Sequence, residues 1–517
     1  KKFVPVTGTR PSIVTEMLLY LAILALSLAI FWIRKRYSYW SDRGVRYLKP
    51  TFPFGNIRGL GRKEQLALAF QRLYLQLKGS GPFGGVFFFV NPVAMALDLD
   101  FVKSVLVKDF QHFHDRSIYY NERDDPLSAH LVTIEGTKWR NLRTKLTPTF
   151  SSGKMKMMFP TIMGVAGQFR ELLLGVVGSG GEVEMKEILA RFTTDVIGTC
   201  AFGLECNSLH DSDAAFRRMG RKVMEPPPGR LFVVILAQQF RKIARALRVK
   251  TIDTDVSQFF MNAVRETVEY REKNRVERND FMNLLIKMKN GQVIEDGTIV
   301  DTEGLTLEEI AAQAFVFFLA GFETSSTAMT YCLYELASNP ELQQKARDDV
   351  LKTIKKHGSL TYEAAHDMHY IEMCINESLR KYPPIGQLTR TVSKDYKVPG
   401  TEHSLEKGTT VAIPVYGIHH DPEFYADPER YDPDRFLPEE LAKRNPYSFL
   451  PFGEGPRNCI GLRFGMMQAR IGLATLLKDF RIRMSSKTQE PLRIDAQKVV
   501  LTFEGGLWLH IEKIQAN

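Results

Sequence analysis

The sequence predicts a mainly helical protein with small β-sheets, located behind an N-terminal transmembrane anchor. Residues 17–33 form an uncharged apolar run, and most later segments repeat their apolar residues at helical spacing. Short strand-like segments lie near residues 86–97 and 498–511. The chain has 517 residues, of which 44% are hydrophobic and 25% charged, and no low-complexity linker divides it. One large globular unit therefore fits better than several tethered domains.

The anchor is predicted from Met17 to Ile33, which carries no charge. This run is at the short end of what spans a bilayer core of about 30 Å. A basic cluster, residues 34–36, follows where a cleaved signal peptide would have small residues. The same cations argue against a buried core helix. By the positive-inside rule, the rest of the chain is expected to stay in the cytosol.

The remaining chain divides into three predicted segments. Residues 1–16 contain no Met, and Met17 would make a natural start, so we expect residues 1–16 to be a non-native or upstream extension. Residues 34–56 are basic and proline-rich and predict a stiff hinge. Residues 57–517 form the predicted main domain.

Six segments show the clearest helical periodicity, namely residues 137–146, 187–202, 254–273, 306–339, 369–381 and 461–478. A β-hairpin is predicted from Val86–Val90 and Val93–Leu97, with its turn at Asn91-Pro92. A second strand-rich region is predicted at Lys498–Phe503 and Leu507–Ile511.

Charge and cysteine content narrow the function classes. The net charge of +10 predicts a basic face for anionic lipid, nucleic acid or an acidic protein, or simply a solvated surface. No nucleic-acid motif accompanies it, so we expect no nucleic-acid partner. The five cysteines are odd in number and contain no CxxC pair. They indicate a reducing compartment and argue against a disulfide framework or a zinc ribbon.

The segment 306–339 predicts a long central helix. Thr306 and Glu309 have capping-box spacing, and Pro340 closes the far end. At about 1.5 Å per residue the helix would run about 50 Å, enough to cross the molecule. Its Ala-Gly-Phe-Glu-Thr segment, residues 320–324, puts a glycine and a carboxylate in mid-helix. Both are costly there unless the protein uses them.

The segment Phe452–Gly461 carries the strongest chemical signal. Its glycines, Gly453 among them, allow tight backbone near a flat cofactor, and a helix begins just after Cys459. The N–H groups of that helix N-terminus favour a thiolate. Phe452 can shield the sulfur, and Arg457 can reach a carboxylate on the cofactor rim. A single buried cysteine is usually inert. The whole pattern, FxxGxRxCxG, resembles the haem-binding loop of the cytochrome P-450 superfamily.

The resemblance implies the cytochrome P-450 fold, haem b as the cofactor and Cys459 as the axial thiolate ligand of its iron. It also implies a set of haem-binding residues, in part from a WxxxR helix. They are Trp139, Arg143, Arg390, Arg457, Phe452, Gly453, Gly461 and Ala320, with Arg116 as a weaker candidate. Each cation alone would more often lie on the surface.

A second set is implied to be structural. Glu377 and Arg380 lie at the end of a helix that two prolines stop. Such an i,i+3 pair is by itself a common surface feature. Two similar segments follow, Asp427–Tyr431 and Asp432–Phe436. The resemblance implies that Arg435, from the second segment, joins Glu377 and Arg380 in a buried triad behind the haem.

Glu323 and Thr324 match the family's acid–alcohol pair, which relays protons to the distal oxygen. A threonine that merely bends the helix is compatible with this role. No GxGxxG strand–turn–helix unit for a flavin or a nicotinamide is found, so the electrons must come from a partner. The resemblance implies NADPH–cytochrome P-450 reductase, which holds the FAD and FMN, with cytochrome b5 as a second candidate. Lys138, Arg140 and Lys145 either help to dock it or keep the surface soluble.

Apolar and aromatic residues are implied to line the substrate pocket, and they indicate a lipophilic small molecule. They are Phe110, Phe113, Tyr119, Phe317, Ile385, Leu388 and Phe503. For each aromatic, core packing is the alternative. Residues 226–246 combine an apolar run with a basic helix and predict either a second membrane contact or a core helix.

At finer grain, residues 200–206, residues 320–326 and the loop around Cys459 resemble the insect microsomal detoxification branch, family six. This resemblance implies oxidation of xenobiotics such as insecticides and plant compounds at the endoplasmic reticulum membrane. Two alternatives stay open. One is a dedicated hydroxylase of an endogenous steroid, fatty acid or terpenoid. The other is a non-oxygenating haem-thiolate protein, such as an isomerase, sensor or carrier.

Overall fold

The computed structural model describes residues 13–225, 227–291 and 304–515. The helices in these ranges are α1 (Ile13–Tyr37), α2 (Leu66–Leu77), α3 (Leu99–Lys103), α4 (Gly136–Leu146), α5 (Ser152–Gly178), α6 (Met185–Ala201), α7 (Ala215–Met224), α8 (Pro228–Gln239), α9 (Arg241–Ala246), α10 (Thr254–Asn274), α11 (Phe281–Lys289), α12 (Leu307–Ser338), α13 (Pro340–His357), α14 (Tyr362–Asp367), α15 (His369–Lys381), α16 (Val415–His419), α17 (Pro438–Lys443) and α18 (Leu462–Asp479). The strands are β1 (Phe83–Phe88), β2 (Asn91–Ala96), β3 (Glu182–Glu184), β4 (Leu388–Thr391), β5 (Tyr396–Lys397), β6 (Ser404–Leu405), β7 (Thr410–Ile413), β8 (Phe480–Met484) and β9 (Trp508–Lys513). The six segments predicted as helices are α4, α6, α10, α12, α15 and α18, and no end differs by more than two residues.

Helix α12 is the centre of the helical body, where it packs against α6, α10, α15 and α18. Its capping box is present, because Thr306 Oγ1 accepts the Glu309 N–H at 3.1 Å and Glu309 Oε2 accepts the Thr306 N–H at 3.1 Å. A helix that is apolar on nearly all sides needs neighbours on all sides. The composition of α12 therefore places it inside the fold.

Gly321 serves helix packing in this central element. A Cβ at this position would lie 2.8 Å from Ile197 Cγ1 on α6. Any larger residue would push α6 and α12 apart at their closest approach. The unfavourable mid-helix glycine is thus explained by the neighbouring helix.

The largest sheet has the strand order β1-β2-β7-β4, in which β2 and β7 are parallel and the other pairs are antiparallel. The predicted hairpin is present, but its turn lies at residues 89–90 and not at Asn91-Pro92. Phe89 adopts a φ of 53°, and Pro92 pairs with Phe87 within the ladder. Pairing of β2 with β7 begins only at Val93. The missing N–H of Pro92 therefore breaks no bond to β7.

The second predicted strand region is half wrong. Residues 498–503 do not form a strand. The Leu501 N–H donates to Pro384 O at 3.0 Å, and the segment has only one isolated bridge, at Phe503. Strand β9 does form, and it lies between β3 and β8. Alternating apolar residues therefore produced a strand only where neighbouring strands were available.

Helix α1 contains the predicted anchor and is longer than the apolar run. Glu16–Tyr37 spans 22 residues with a mean hydropathy of 2.2, and none of its most apolar stretch is buried. By length and composition this helix could cross a membrane.

The segment after α1 packs on the globular body. Trp40, in the predicted hinge, is fully buried, and its Nε1–H donates to Val86 O at 3.1 Å. A Cβ at Gly85 would lie 2.4 Å from Trp40 Cγ, so β1 accommodates the indole ring only because it has a glycine there. Val45 and Ile57 also belong to core clusters. The chain therefore joins its folded body soon after α1.

Candidate active site

The loop before α18 is folded tightly around Cys459. The Cys459 N–H donates to Phe452 O at 2.8 Å, and the Asn458 N–H donates to Gly455 O at 3.0 Å. Gly453 and Gly455 both have positive φ, and a Cβ at Gly455 would lie 1.9 Å from Leu106 O. The loop thus needs these glycines for its turns and for its close approach to the 104–108 segment.

Cys459 differs from the other four cysteines. All five are free thiols, and the other four, Cys200, Cys206, Cys332 and Cys374, are buried. Cys459 keeps accessible surface, although burial has the largest effect on the pKa of its thiol. There is therefore room beside this side chain. Its sulfur can therefore reach a group held inside the protein.

Two opposing effects act on the pKa of Cys459. Burial raises the pKa of this thiol above its ordinary value, whereas the backbone of Gly461 and the charges of Arg143 and Arg116 lower it. The backbone at the start of α18 does lower the pKa of the thiol, but burial raises that pKa by more. A metal ion bound to the sulfur is the additional interaction that would hold it deprotonated.

A guanidinium cluster lies near this loop. Its members are Arg116, Arg143, Arg390 and Arg457. Burial lowers the pKa of Arg390 and, together with the charge of Arg116, lowers the pKa of Arg457 to about 9. Asp115 contributes the one ion pair recorded for the cluster within the described ranges, at 3.5 Å from Arg457. The cluster thus carries more positive charge than its own carboxylate balances.

Haem fits this cluster. In the part of the chain that the structure describes, Arg390 Nε and Nη2 and Arg457 Nε and Nη1 are buried without a hydrogen-bond partner. Buried guanidinium N–H groups normally have acceptors, and propionate carboxylates would supply them. Trp139 completes this side, since the Arg457 guanidinium lies 4.0 Å from the centre of its ring. The unpaired arginine N–H groups would suit the two propionate carboxylates of haem, and the Cys459 sulfur would suit its iron.

Arg143 and Arg116 have partners within the protein. Arg143 donates to Asn458 O at 2.9 Å and to Asn458 Oδ1 at 2.8 Å, and Arg116 donates to Arg457 O at 3.0 Å. Both therefore brace the Cys459 loop. Sequence reasoning missed Asp115 and Asn458, although each adjoins a residue that it did select, Arg116 and Cys459.

The middle of α12 presents the predicted acid and alcohol. Ala320 is exposed although its helix is central, so there is also room beside it. Thr324 Oγ1 donates to Ala320 O at 2.6 Å, and α12 continues as a helix through this point. Glu323 Oε1 lies 3.4 Å from Lys186 Nζ, on α6. No sequence signal pointed to Lys186, which lies far from Glu323 along the chain.

The predicted triad comes together in the structure. Arg380 donates to both carboxylate oxygens of Glu377, at 2.7 and 2.9 Å, and both side chains are fully buried. Arg435 Nε lies 3.4 Å from Glu377 Oε1. Arg380 Nη1 also donates to His419 O at 3.0 Å, which ties α15 to α16.

The predicted pocket residues divide into two groups. Phe110 is half-buried beside Trp139, with 5.8 Å between ring centres, and Ile385 and Leu388 are half-buried. A Cβ at Gly453 would lie 3.6 Å from Leu388 Cδ1, so Leu388 adjoins the Cys459 loop. These three keep surface near the site.

The other four predicted pocket residues are buried. Phe113 is fully buried against Tyr396, at 4.7 Å between ring centres, so its assignment to the pocket is corrected to a core residue. Phe317 is likewise core, because it packs against Phe150 and Phe281 at 5.2 and 5.7 Å. Helical spacing put Phe317 on the face of Thr324, but the two lie about two turns apart and α12 has different neighbours at each.

Tyr119 and Phe503 have defined contacts of their own. Tyr119 Oη donates to Val249 O at 2.7 Å, which joins the loop before α4 to the segment after α9. Phe503 packs on Tyr331 at 5.2 Å between ring centres.

Residues 226–246 form the two helices α8 and α9 over most of their length. Phe240, Ile243 and Leu247 expose 47, 58 and 72% of their surface, while Ala244 is buried. Ile243 lies on α9, and Leu247 follows directly after the helix, four residues on, so these two side chains share an exposed face. The interpretation as a buried core helix is therefore wrong for α9.

The predicted docking cations differ in their surroundings. Lys138 forms ion pairs with Glu122 and Glu309, whereas Arg140 is exposed. Lys138 is therefore occupied within the protein, and Arg140 remains a docking candidate.

Comparison with known proteins identifies relatives across almost the whole chain. The family model described as Cytochrome P450 matches residues 46–509. Cytochrome P450 6A1 of Musca domestica is 44% identical over 505 residues, which cover 97% of this chain and 98% of that protein. Cytochrome P450 6a2 of Drosophila melanogaster is 44% identical over 506 residues, covering 96% of this chain and 100% of that protein. Probable cytochrome P450 6a14 of Drosophila melanogaster is 44% identical over 489 residues, or 93% and 96% of the two chains.

Proposed function

Because this chain belongs to the cytochrome P450 family, as a haem monooxygenase related to insect family-six proteins, we propose that it oxidises lipophilic foreign compounds, such as insecticides and plant compounds. The observation that carries the proposal is Cys459, a thiol with accessible surface beside a guanidinium cluster in which Arg390 and Arg457 have buried N–H groups without an acceptor in the described residues. The half-buried Phe110, Ile385 and Leu388 near this site favour an apolar substrate.

Haem bound through the Cys459 thiolate supplies the O₂ chemistry, with electron density pushed from sulfur to iron. Arg390 and Arg457 would hold the haem propionates through their buried N–H groups, and Arg143 and Arg116 keep the Cys459 loop in place. Glu323 and Thr324 would hold and pass on protons at the middle of α12. The apolar surroundings exclude bulk water from the site, which limits side reactions.

Electrons come from NADPH–cytochrome P-450 reductase through its FAD and FMN, with cytochrome b5 as a second donor. Arg140, exposed on the helix that carries Trp139, is placed to meet an acidic partner. Helix α1 anchors the chain in the endoplasmic reticulum membrane, with the domain that begins near residue 40 on the cytosolic side.

The test of this function is NADPH-driven turnover with purified reductase on pyrethroid-like esters, plant defence compounds, steroids and fatty acids. Oxidation of several unrelated lipophiles is the expected result. Fast oxidation of one endogenous class alone would instead assign a dedicated hydroxylase. An intact thiolate spectrum without turnover on any compound would refute the monooxygenase proposal.

Replacing Thr324 by alanine is expected to reduce the product formed per NADPH by roughly tenfold, because a positioned proton donor is lost. Peroxide should rise by the corresponding amount. Thr330 is a matched control, because its hydroxyl makes the same bond four residues back on α12, to Ser326 O at 2.7 Å. Thr330→Ala should leave the coupling at the wild-type value. Equal coupling in both variants would remove Thr324 from proton delivery.

Replacing Arg390 by methionine is expected to weaken haem retention by about 10–100-fold, the usual cost of a lost hydrogen bond to a charged group. The chain should still fold, since the substitution removes a buried cation that has one hydrogen bond, from Nη1 to Thr389 O at 2.9 Å, and two unpaired donor atoms, Nε and Nη2. The haem-to-protein ratio after gel filtration is the measurement. Arg483→Met is the control, because Arg483 lies on the surface in an ion pair with Glu512. An unchanged ratio in Arg390→Met would contradict propionate binding by Arg390.

The exposed face of α9 is proposed to contact the bilayer close to the anchor. Backbone amides of residues 240–247 should therefore exchange hydrogen more slowly when the full chain is moved from detergent into lipid nanodiscs. The variant Ile243→Asp/Leu247→Asp should lose this protection, because charged side chains are costly below the headgroups. Equal exchange of this segment in both environments would exclude the contact.

A further inference from the structure

Lys186 makes a contact that joins three separate parts of the fold. Its ammonium lies 3.4 Å from Glu323 Oε1 on α12 and donates to Thr502 Oγ1 at 2.7 Å. The side chains of Lys186 and Glu323 are 23 and 13% exposed, so the pair is largely shielded from water. An ion pair so placed is screened less than one on the surface.

The backbone at Lys186 is also held in place. Glu184 caps α6 and accepts the N–H groups of Lys186 and Glu187 at 3.1 and 2.7 Å. The same carboxylate accepts the Leu507 N–H at 2.8 Å, which fixes the first turn of α6 to the C-terminal segment. Lys186 therefore projects its ammonium from a rigid base.

Glu323 needs such a partner if it is to deliver protons. A glutamate side chain has several rotatable bonds and loses considerable entropy when it is fixed in one conformation. Proton transfer requires heavy atoms about 2.6–3.2 Å apart, directly or through one water. Within the described ranges, Lys186 is the cation that forms an ion pair with the Glu323 carboxylate.

We propose that Lys186 is a positioning residue for proton delivery, which holds the Glu323 carboxylate in one conformation and is itself oriented by the Thr502 hydroxyl. This inference rests on the proposed monooxygenase function. Thr502 adjoins Phe503, which packs on Tyr331 of α12, so the contact also ties α6 to the C-terminal segment that packs on α12.

The first half of the test asks whether the contact forms in solution. Thermal unfolding midpoints of the haem-loaded wild type, Lys186→Met, Glu323→Gln and the double variant form a double-mutant cycle. If the side chains interact, the shift of the double variant will be smaller than the sum of the two single shifts. Additive shifts would overturn the proposal, because they would show that the two side chains do not interact.

The second half asks what the contact does. Lys186→Met should form about fivefold less product per NADPH and show a larger solvent deuterium isotope effect on product formation. Lys186→Arg should recover at least half of the product per NADPH that Lys186→Met loses. Thr502→Val should give a value between those of the wild type and Lys186→Met, because the Lys186 and Glu323 charges both remain. Lys407→Met, at an exposed position away from the site, should match the wild type in every measurement.

The outcomes separate the two proposals. If wild-type protein forms product and Lys186→Met matches it in coupling and isotope effect, Lys186 has no role in proton delivery and this inference fails alone. If wild-type protein with a thiolate spectrum forms no product from any compound, the proposed function fails and this inference fails with it.

Discussion

Cys459→Ser is expected to lower product formation at least about 100-fold, which corresponds to a barrier increase of about 2.7 kcal/mol. The hydroxyl is nearly the size of the thiol, so the loop should keep its Cys459 N–H bond to Phe452 O. What is lost is the electron donation from a thiolate, on which O–O cleavage depends. The ferrous–CO absorption band should accordingly lose the position that marks thiolate ligation.

The matched control is Cys374→Ser on α15. Cys374 is a buried thiol, and burial raises its pKa far above the ordinary value. A thiol with a raised pKa stays protonated and inert. This variant should keep the thiolate spectrum and the turnover of the wild type, with a lower unfolding midpoint because a polar hydroxyl replaces a buried sulfur. If Cys459→Ser kept the thiolate spectrum, or Cys374→Ser lost it, Cys459 would not be the ligand.

Glu377→Ala is expected to destabilise the protein by about 3–5 kcal/mol, because it leaves Arg380 as an uncompensated buried charge. The Glu377 carboxylate accepts two bonds from Arg380 and one from the Asp432 N–H at 2.9 Å. Burial raises the pKa of Glu377, while Arg380 opposes that shift. Since native proteins are stable by about 5–15 kcal/mol, much of the stability would be lost.

Urea unfolding of the haem-loaded protein, followed by the ferrous–CO spectrum, measures this effect. Glu440→Ala is the control, because Glu440 forms an exposed i,i+3 pair with Lys443 and its loss should not move the transition. The double variant Glu377→Leu/Arg380→Leu should be more stable than Glu377→Ala, because no charge is then left unpaired. A wild-type transition for Glu377→Ala would contradict a structural role for the triad.

The elements that could be predicted depend on residues close together in the chain. The Thr306–Glu309 capping box, the glycine turns before Cys459 and the Glu377–Arg380 pair each involve positions within a few residues of one another. Their geometry follows from local backbone structure. The sequence pattern was therefore sufficient to place them.

Predictions failed where the outcome depended on a distant neighbour. The sequence showed that a mid-helix glycine at position 321 must have a use, but not that this use is the close approach of Ile197. Phe317 has the spacing of a site residue and packs on Phe150. Residues 498–503 have the pattern of a strand, but within the described residues they form only one bridge, between Phe503 and Ile494.

The sequence by itself determined the helices of the body, the loop that presents Cys459 and the family to which the chain belongs, because periodicity, capping and glycine turns act over a few residues. Only the tertiary structure decided that Arg390 and Arg457 are buried with unpaired N–H groups and that Lys186 meets Glu323. Contacts of this kind depend on how separate surfaces fit together. The spacing of residues along the chain does not indicate which of these surfaces will meet.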